Sequence, residues 1–450
     1  MINLDESIFK AYDVRGIYPH SINKEIAYHF GRAFITFLKV KNVVVGFDAR
    51  LSSPELKDYL IQGILDSGAD VIDIGLCTSP LLNFTVAFNP DFESGIMVTA
   101  SHNPPEYNGF KCCQNDASSI GLENGLEEIK KIMGKGNYSI VSKGKIRKIN
   151  ALEEYLSFLK KLINFSKLDN LYLVVDISNG SAGEQTKKVL ETTNCRLEFI
   201  NFNPDGHFPN HEPDPLKEEN LNQIKKEVIT KKADLGIILD GDADRVRFIN
   251  EKGESVPADL VTALLAELFL NTHKKEAIVY DLRSSRVVEE EIKKHGGVPI
   301  ICRVGHTFIK AKMKEKKAIF GGEISGHYYF QDLFYTDNAD MAYLKVIEEI
   351  KKRQKPFSEI MQKYQRYFQT DELNYEVVDQ NKVLSTLESY YLTKYPQAKI
   401  SKLDGLSIIL PDFWFNIRPS NTEPVLRLKL EAKTKELKEE KVGELIKLIK

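Results

Sequence analysis

The chain has 450 residues, 42% of them hydrophobic and 28% charged, with 62 Lys and Arg against 64 Asp and Glu. That composition belongs to a globular protein too long for one core and predicts several domains. It provides no broad basic field for nucleic-acid phosphates, and no stretch approaches the roughly 20 apolar residues that span a bilayer. The opening Met1-Ile2-Asn3-Leu4-Asp5-Glu6 lacks the basic start and apolar run of a signal peptide. Five cysteines (77, 112, 113, 195 and 302) show no CxxC spacing, so reduced thiols in a cytoplasmic protein are expected.

Phe9-Lys10-Ala11-Tyr12-Asp13-Val14-Arg15-Gly16 opens the first domain, and helical periodicity follows over about Lys24 to Leu38. Val43 to Asp48 is an apolar strand ending in a carboxylate. Ser52-Ser53-Pro54-Glu55 then has the hydroxyl cap, early Pro and early Glu of a helix start. Ser94 to Val98 is a second short strand, and it runs into Thr99-Ala100-Ser101-His102-Asn103-Pro104. Pro104-Pro105 can neither extend a strand nor enter a helix interior, which predicts an exposed turn presenting Ser101. A serine hydroxyl is a weak nucleophile unless a base, a metal or prior modification activates it. His102 stands beside it, and Lys111 brings a cation shortly after.

The strand-ending-in-Asp theme recurs at Leu173 to Asp176, Leu235 to Asp240 and Ala277 to Asp281. These echoes predict three α/β domains of related build. Polar or Gly-bearing interruptions divide the chain into residues 1–148, 149–251, 252–366 and 367–450. In the last of these, Val425 to Glu431 alternates strictly, the pattern of a half-exposed strand, and Lys433 to Lys450 reads as an amphipathic helix with a solvated charged face. The expected fold is α/β: three similar mixed α/β domains plus a smaller C-terminal α+β domain around a central cleft.

Four further clusters carry chemistry. Asp240-Gly241-Asp242-Ala243-Asp244-Arg245 alternates carboxylates with small residues and can wrap a hard divalent cation. A calcium EF-hand is excluded, because its sixth position demands Gly and here is Arg245. Arg303-Val304-Gly305-His306-Thr307 and Gly321-Gly322-Glu323-Ile324-Ser325-Gly326-His327 are glycine-bearing turns with polar side chains. Arg418-Pro419-Ser420-Asn421-Thr422-Glu423-Pro424 sets a fork-shaped guanidinium beside hydroxyls and an amide, a good phosphate clamp.

Taken together, these motifs resemble those of the alpha-D-phosphohexomutase family, the sugar-phosphate mutases, over nearly the whole chain. The resemblance implies that Ser101 is carried as a phosphoserine. It further implies Mg2+ held by Asp240, Asp242 and Asp244 and touching the phosphoryl group on Ser101, and His306 in the Gly305-His306 loop near the transferring group. Glu323, Ser325 and His327 would recognise the sugar, and Arg418, Ser420, Asn421 and Thr422 would grip the phosphate that does not react. Arg15 and Arg245 are expected near the reacting phosphate, Lys111 and His102 in proton handling, and Tyr12 at the substrate. Arg283 stands where some members carry a substrate-contacting lysine. Pro204 to Pro209 and Pro213-Asp214-Pro215 also match, with a structural role expected.

The implied reaction interconverts hexose 1-phosphate and hexose 6-phosphate through a hexose 1,6-bisphosphate that serves as intermediate and activator. Ala11-Tyr12 and Ser420-Asn421-Thr422 depart from the phosphoglucosamine mutase pattern and point to the phosphomannomutase/phosphoglucomutase branch. Phosphoglucosamine mutase, a catalytically silent binding protein and a serine phosphatase are the alternatives. A monomer or homodimer acting on sugar phosphates, with no nucleic-acid or membrane partner, is expected.

Overall fold

Among the described residues there are four β-sheets, and three of them repeat one topology. The computed structural model describes residues 4–138, 142–165, 168–419 and 425–449. In the first sheet Asn42–Phe47 lies between Asp70–Leu76 and Ser94–Val98, parallel to both, and Ser94–Val98 then pairs antiparallel with Tyr107–Gln114. In the second, Asp169–Asp176 lies between Asn194–Ile200 and Leu235–Leu239, and the latter pairs antiparallel with Val246–Asn250. In the third, Ala277–Asp281 lies between Val298–Cys302 and Phe320–Gly322, followed by antiparallel Tyr328–Phe330. Central parallel strands are covered on both faces, which is why Val43, Val44, Val45, Leu173, Val174 and Val175 form unbroken apolar runs and are fully buried.

This repeat places the chemistry. In every unit the connection from the third strand to the antiparallel fourth leaves the carboxyl edge of the sheet, where α/β folds open their crevices. Those three connections hold Ser101, Asp240 to Arg245, and Glu323 to His327. Equivalent loops of three repeats thus converge on one site.

The first three units share a continuous apolar core that runs from Leu81 and Phe84 through Tyr155 and Leu156 to Leu264, Phe330 and Tyr343. A buried polar knot crosses the same boundary. Asp340 accepts hydrogen bonds from Tyr155 Oη (2.8 Å), Gln185 Nε2 (2.6 Å) and Tyr343 Oη (2.7 Å). Asp340 lies in the first turn of the helix Ala339–Arg353, where the helix dipole favours a carboxylate. The fourth sheet is antiparallel, centred on Phe413–Pro419 and Val425–Ala432, and packs against Gln380–Lys394 and Lys435–Ile449 around its own core. Among the described residues no helix is long and apolar enough to cross a membrane.

Three local expectations are corrected. Ser52 is itself helical in φ and ψ and its side chain makes no cap hydrogen bond; its hydroxyl accepts from Asn108 Nδ2 at 2.8 Å instead. The strand Val425–Ala432 is not half exposed along its length. Lys429 donates to Thr370 O at 2.5 Å, and Glu431 accepts from Trp414 Nε1 at 2.8 Å and from Arg286 N at 3.1 Å, so neighbouring segments cover its polar face. In the last helix Lys441 is buried, donating to Tyr395 Oη, Glu440 and Glu444.

Candidate active site

Ser101 is not on an exposed turn. It is 1% exposed, because the 240–245 loop of the second unit closes over the turn made by the two prolines. Its φ is +50°, a left-handed conformation that costs a non-glycine residue on the order of 1–3 kcal/mol and must be held by its surroundings. Its N–H donates to Thr99 Oγ1 at 2.8 Å, its Oγ donates to Asp240 Oδ2 at 2.8 Å, and His102 Nδ1 is 3.3 Å from that Oγ.

Asp240, Asp242 and Asp244 are all buried, with carboxylate oxygens within 4.8 Å of one another. At about 5 Å and an effective dielectric near 20, each pair of unit anions repels by roughly 3 kcal/mol. Lys111 Nζ answers part of this, reaching Asp242 Oδ2 at 2.7 Å and Asp244 Oδ2 at 2.6 Å. Burial, with Asp244 and Asp242 beside it, pushes the Asp240 carboxyl above the usual range. Burial would do the same to Asp244, but Lys111 and His327 hold it well below. Burial opposes the charge on Lys111, yet the three aspartates raise its pKa and keep it an ammonium. Asp242 Oδ1 is buried and has no hydrogen-bond partner among the described residues. Three clustered carboxylates, one oxygen still unsatisfied, and the Ser101 hydroxyl form an all-oxygen set that fits a hard dication.

His327 links this loop to the third unit. Its Nε2 lies 3.2 Å from Asp244 Oδ1 and its Nδ1 lies 3.1 Å from Glu323 Oε2. Burial lowers its basicity, but Asp244 and Glu323 raise its pKa to about 9, so the ring is an imidazolium. Arg245 Nε lies 3.3 Å from the same Nε2. The Arg245 N–H donates to Asp240 Oδ1 at 3.2 Å. Ser325 Oγ is 2.9 Å from His327 Nδ1.

Glu323 already accepts from Tyr329 Oη at 2.9 Å and Gly305 N at 3.2 Å. Its carboxyl is held well below the usual range because His327 and Arg283 outweigh burial. Gly305 has φ +128°, and a Cβ there would stand 2.5 Å from Tyr12 Oη, so only glycine lets Tyr12 reach Val304 O at 3.0 Å. His306 packs beside the Tyr12 and His327 rings, at 5.6 Å and 6.0 Å between centroids. Burial together with Lys310, His327 and Lys111 lowers its pKa well below normal and keeps it neutral. His102 is kept neutral in the same way, by burial and by Arg245, Arg15 and Lys111. Arg15 donates to Asn103 Oδ1 at 2.5 Å and pairs with Asp13, and its buried Nε has no hydrogen-bond partner among the described residues.

Beyond Glu323, Arg283 is buried, with Nη2 2.6 Å from Asp281 and 3.7 Å from Glu323 and Nη1 3.2 Å from Glu372. Arg418, 3% exposed, also reaches Glu372 at 3.1 Å, and Arg427 lies 3.6 Å from it. Burial notwithstanding, these three guanidiniums hold the Glu372 carboxyl below its usual range. The expected phosphate-loop members Ser420, Asn421 and Thr422 lie outside the described residues.

The structure therefore gathers Ser101, His102, Lys111, Arg245 and the three aspartates in one place, with Arg15 beside them through Asn103. Through Asp244 and His327 it joins them to Tyr12, Gly305, His306, Glu323 and Ser325. Sequence reasoning missed Glu372, Ser79 and the pair Lys310–Asp337. Ser79 Oγ donates to Asp242 Oδ2 at 2.6 Å, and Lys310 Nζ stands 2.9 Å from Asp337. That pair lines a cavity of about 20 Å³ with Lys111, Asp244 and His306, room for about one water. None of the three lies in a glycine-rich or alternating-acid stretch, so no local pattern marked it.

Models of the phosphoglucomutase/phosphomannomutase alpha/beta/alpha domains I, II and III match residues 6–139, 153–253 and 257–367, and that of the C-terminal domain matches 372–448. A phosphomannomutase of Methanocaldococcus jannaschii is 38% identical over 99% of this chain and 98% of its own. A phosphomannomutase/phosphoglucomutase of Pseudomonas syringae is 35% identical over 96% of this chain and 92% of its own. The crystal structure of a phosphoglucomutase/phosphomannomutase family protein from Burkholderia thailandensis superposes with a TM-score of 0.91 at 30% identity, over 99% of this chain and 97% of that one. The chain belongs to the phosphoglucomutase/phosphomannomutase family. It is a hexose phosphate mutase, an enzyme that moves a phosphoryl group from one position of a sugar to another.

Proposed function

We propose that the chain interconverts the 1- and 6-phosphates of mannose, glucose or both, with Ser101 as phosphoryl carrier and a hexose 1,6-bisphosphate as intermediate and activator. One observation carries this reading: the Ser101 hydroxyl donates at 2.8 Å into a buried three-carboxylate loop that fits a dication. Asp240, Asp242 and Asp244 would hold Mg2+, which when bound neutralises charge on the phosphoryl oxygens. In the forward half-reaction the bond from phosphorus to Ser101 Oγ breaks and a bond to the sugar hydroxyl oxygen forms. The hydroxyl proton passes to a base, and the departing Ser101 Oγ takes up a proton. In the return half the bond from the other phosphorus to its sugar oxygen breaks and a bond to Ser101 Oγ forms. The Ser101 hydroxyl proton passes to the base, and the freed sugar oxygen takes one up.

His102 Nδ1, 3.3 Å from Ser101 Oγ, is within reach of the proton that moves. Lys111, kept charged between Asp242 and Asp244, suits charge compensation instead. Arg15 and Arg245 would steady the reacting phosphoryl, and His306 with Tyr12 would line the same space. Glu323, Ser325 and His327 would meet the sugar hydroxyls. Arg418, with Ser420, Asn421 and Thr422, would hold the distal phosphate, with Arg283 nearby. Catalysis of this kind rests on positioning and electrostatics. The names of the relatives, phosphomannomutase foremost, favour mannose and glucose phosphates over glucosamine phosphate.

The experiment is intact-mass measurement of wild type and Ser101→Ala after exposure to hexose 1,6-bisphosphate, alongside turnover of mannose and glucose 1-phosphates. Wild type should gain one phosphate, and Ser101→Ala should gain none and lose several orders of magnitude in turnover. Near wild-type turnover in Ser101→Ala ends this reading.

A further inference from the structure

Ser101 keeps a left-handed backbone conformation, and something must pay for holding it there. Directly beneath its turn lies Arg50, 1% exposed, with every guanidinium donor used. Nη2 donates to the carbonyls of Ser101 (2.7 Å) and Asn103 (2.6 Å), and Nη1 to those of Pro104 (2.6 Å) and Tyr107 (3.0 Å). Nε donates to Asp48 Oδ2 at 3.1 Å. Asp48 in turn accepts from Thr99 Oγ1 at 2.7 Å, the hydroxyl that receives the Ser101 N–H. One arginine and its aspartate therefore grip the turn on both sides of the nucleophile.

The repeat sharpens the point. Asp48-Ala49-Arg50 and Asp281-Leu282-Arg283 follow equivalent central strands, and in both the arginine N–H and Nε donate to the aspartate. In the third unit the guanidinium turns outward to Glu372. In the first it turns inward and is used on backbone carbonyls of the loop. A lysine could keep the charge but has no planar fork to meet four carbonyls.

The second unit backs this arrangement. Phe208 stands with its ring centroid 5.2 Å from the Arg50 guanidinium carbon. Gly206 lies so close that a Cβ there would come within 2.4 Å of Leu51 N and 2.8 Å of Arg50 Cα. The segment Pro204 to Pro209 thus has a definite task.

We propose that Arg50 is the positioning residue of the Ser101 turn, holding the phosphoryl-carrying oxygen in register with the Asp240–Asp244 loop, with Phe208 fixing the guanidinium from behind. The proposal deepens the phosphoserine reading and rests on it.

The test compares wild type, Arg50→Lys and Phe208→Leu well below their melting temperatures, by kcat and KM for a hexose 1-phosphate. The rate at which Ser101 gains a phosphate from hexose 1,6-bisphosphate is followed by intact mass. A misplaced nucleophile costs about 100-fold in rate, so Arg50→Lys should lose about that in kcat and in the rate of mass gain, with KM within about twofold. Phe208→Leu should lose severalfold in kcat at unchanged KM. A folded Arg50→Lys with wild-type kcat, or a raised KM with kcat unchanged, overturns the proposal. If Arg50→Lys does not fold, Phe208→Leu decides: unchanged kcat overturns the proposal, and a severalfold loss at constant KM supports it. A wild type that carries no phosphate on Ser101, either as purified or after exposure to the bisphosphate, overturns the phosphoserine reading and this proposal together. A wild type that does, beside an Arg50→Lys that matches it, overturns the proposal alone.

Discussion

The Asp240–Asp244 loop and the arginine cluster around Glu372 are electrostatic opposites. In the first, three buried carboxylates of a single loop face Lys111, with Asp242 Oδ1 left unsatisfied among the described residues. In the second, Arg283, Arg418 and Arg427 surround Glu372, and Asp281 balances only Arg283. The first gathers carboxylate oxygens on one loop, one of them unsatisfied, and suits a cation; the second gathers three guanidiniums and suits an anion. Each cluster is tolerable without ligand because opposite charge is built in: Lys111, Arg245 and His327 beside the aspartates, and Glu372 with Asp281 among the guanidiniums. That division matches a reaction in which one phosphate reacts beside a metal while another is held at a distance.

If the two clusters are separate, they can be broken separately. The largest effect is expected at the anionic loop. Asp242→Asn keeps the shape and removes one charge, so Mg2+ affinity and turnover should fall at least 10–100-fold, the loss seen when even outer supports of a metal are removed. Thermal protection by inorganic phosphate should persist, because a ligand stabilises only through the site it binds. Full activity of the wild type in EDTA would refute the aspartate assignment.

Next comes Arg418→Ala. Removing a charge-assisted contact costs about 1.5–3 kcal/mol, or roughly 10–150-fold. KM should rise, added hexose 1,6-bisphosphate should become necessary, and protection by Mg2+ should survive. Arg418→Lys should recover only part. The check is rate against added bisphosphate for all three proteins; identical curves would make Arg418 structural.

Glu372→Gln is expected to have a smaller and two-sided effect. Leaving buried guanidiniums without their counter-ion should lower stability by about 1–3 kcal/mol, while phosphate, no longer competing with a carboxylate, should protect the variant more than the wild type. Calorimetry across a phosphate titration measures both, and a lower melting temperature with weaker phosphate protection would break the proposed opposition.

The smallest effect belongs to a cluster that is charge-balanced and distant. Burial would raise the Glu267 carboxyl, but Lys363, Tyr364 and Arg353 lower its pKa from 4.5 to about 2. A depressed folded pKa gives stability that is complete above the unfolded value and lost as pH falls from about 4.5 toward about 2. Glu267→Gln should flatten the acid dependence of the melting temperature in that window, with activity at neutral pH and both ligand protections unchanged. An acid profile superimposable on wild type would show that the cluster carries no such linkage.

Much of this protein was legible in one dimension. The strands Asn42–Phe47, Leu235–Leu239 and Ala277–Asp281 were apparent because doubly covered parallel strands must be apolar throughout, and the helix Lys24–Leu38 because its buried face recurs at helical period. The acid loop was legible because an apolar strand leads straight into three carboxylates separated by small residues, a spacing that can wrap a cation. Ser52 as a cap was misread, since the competing partner, Asn108, is 56 residues away.

What the sequence by itself determined is therefore local: the repeat of strand, turn and carboxylate, and the residue types in each loop. Only the tertiary structure decided that Ser101 is buried, that His327 is an imidazolium between Asp244 and Glu323, that Glu372 faces three arginines, and that Arg50 lies beneath the nucleophile. Each of these depends on contacts between residues from 46 to 139 positions apart, closed by sheet pairing and domain packing. Burial and charge pairing are properties of what surrounds a residue, and no one-dimensional spacing encodes the surroundings.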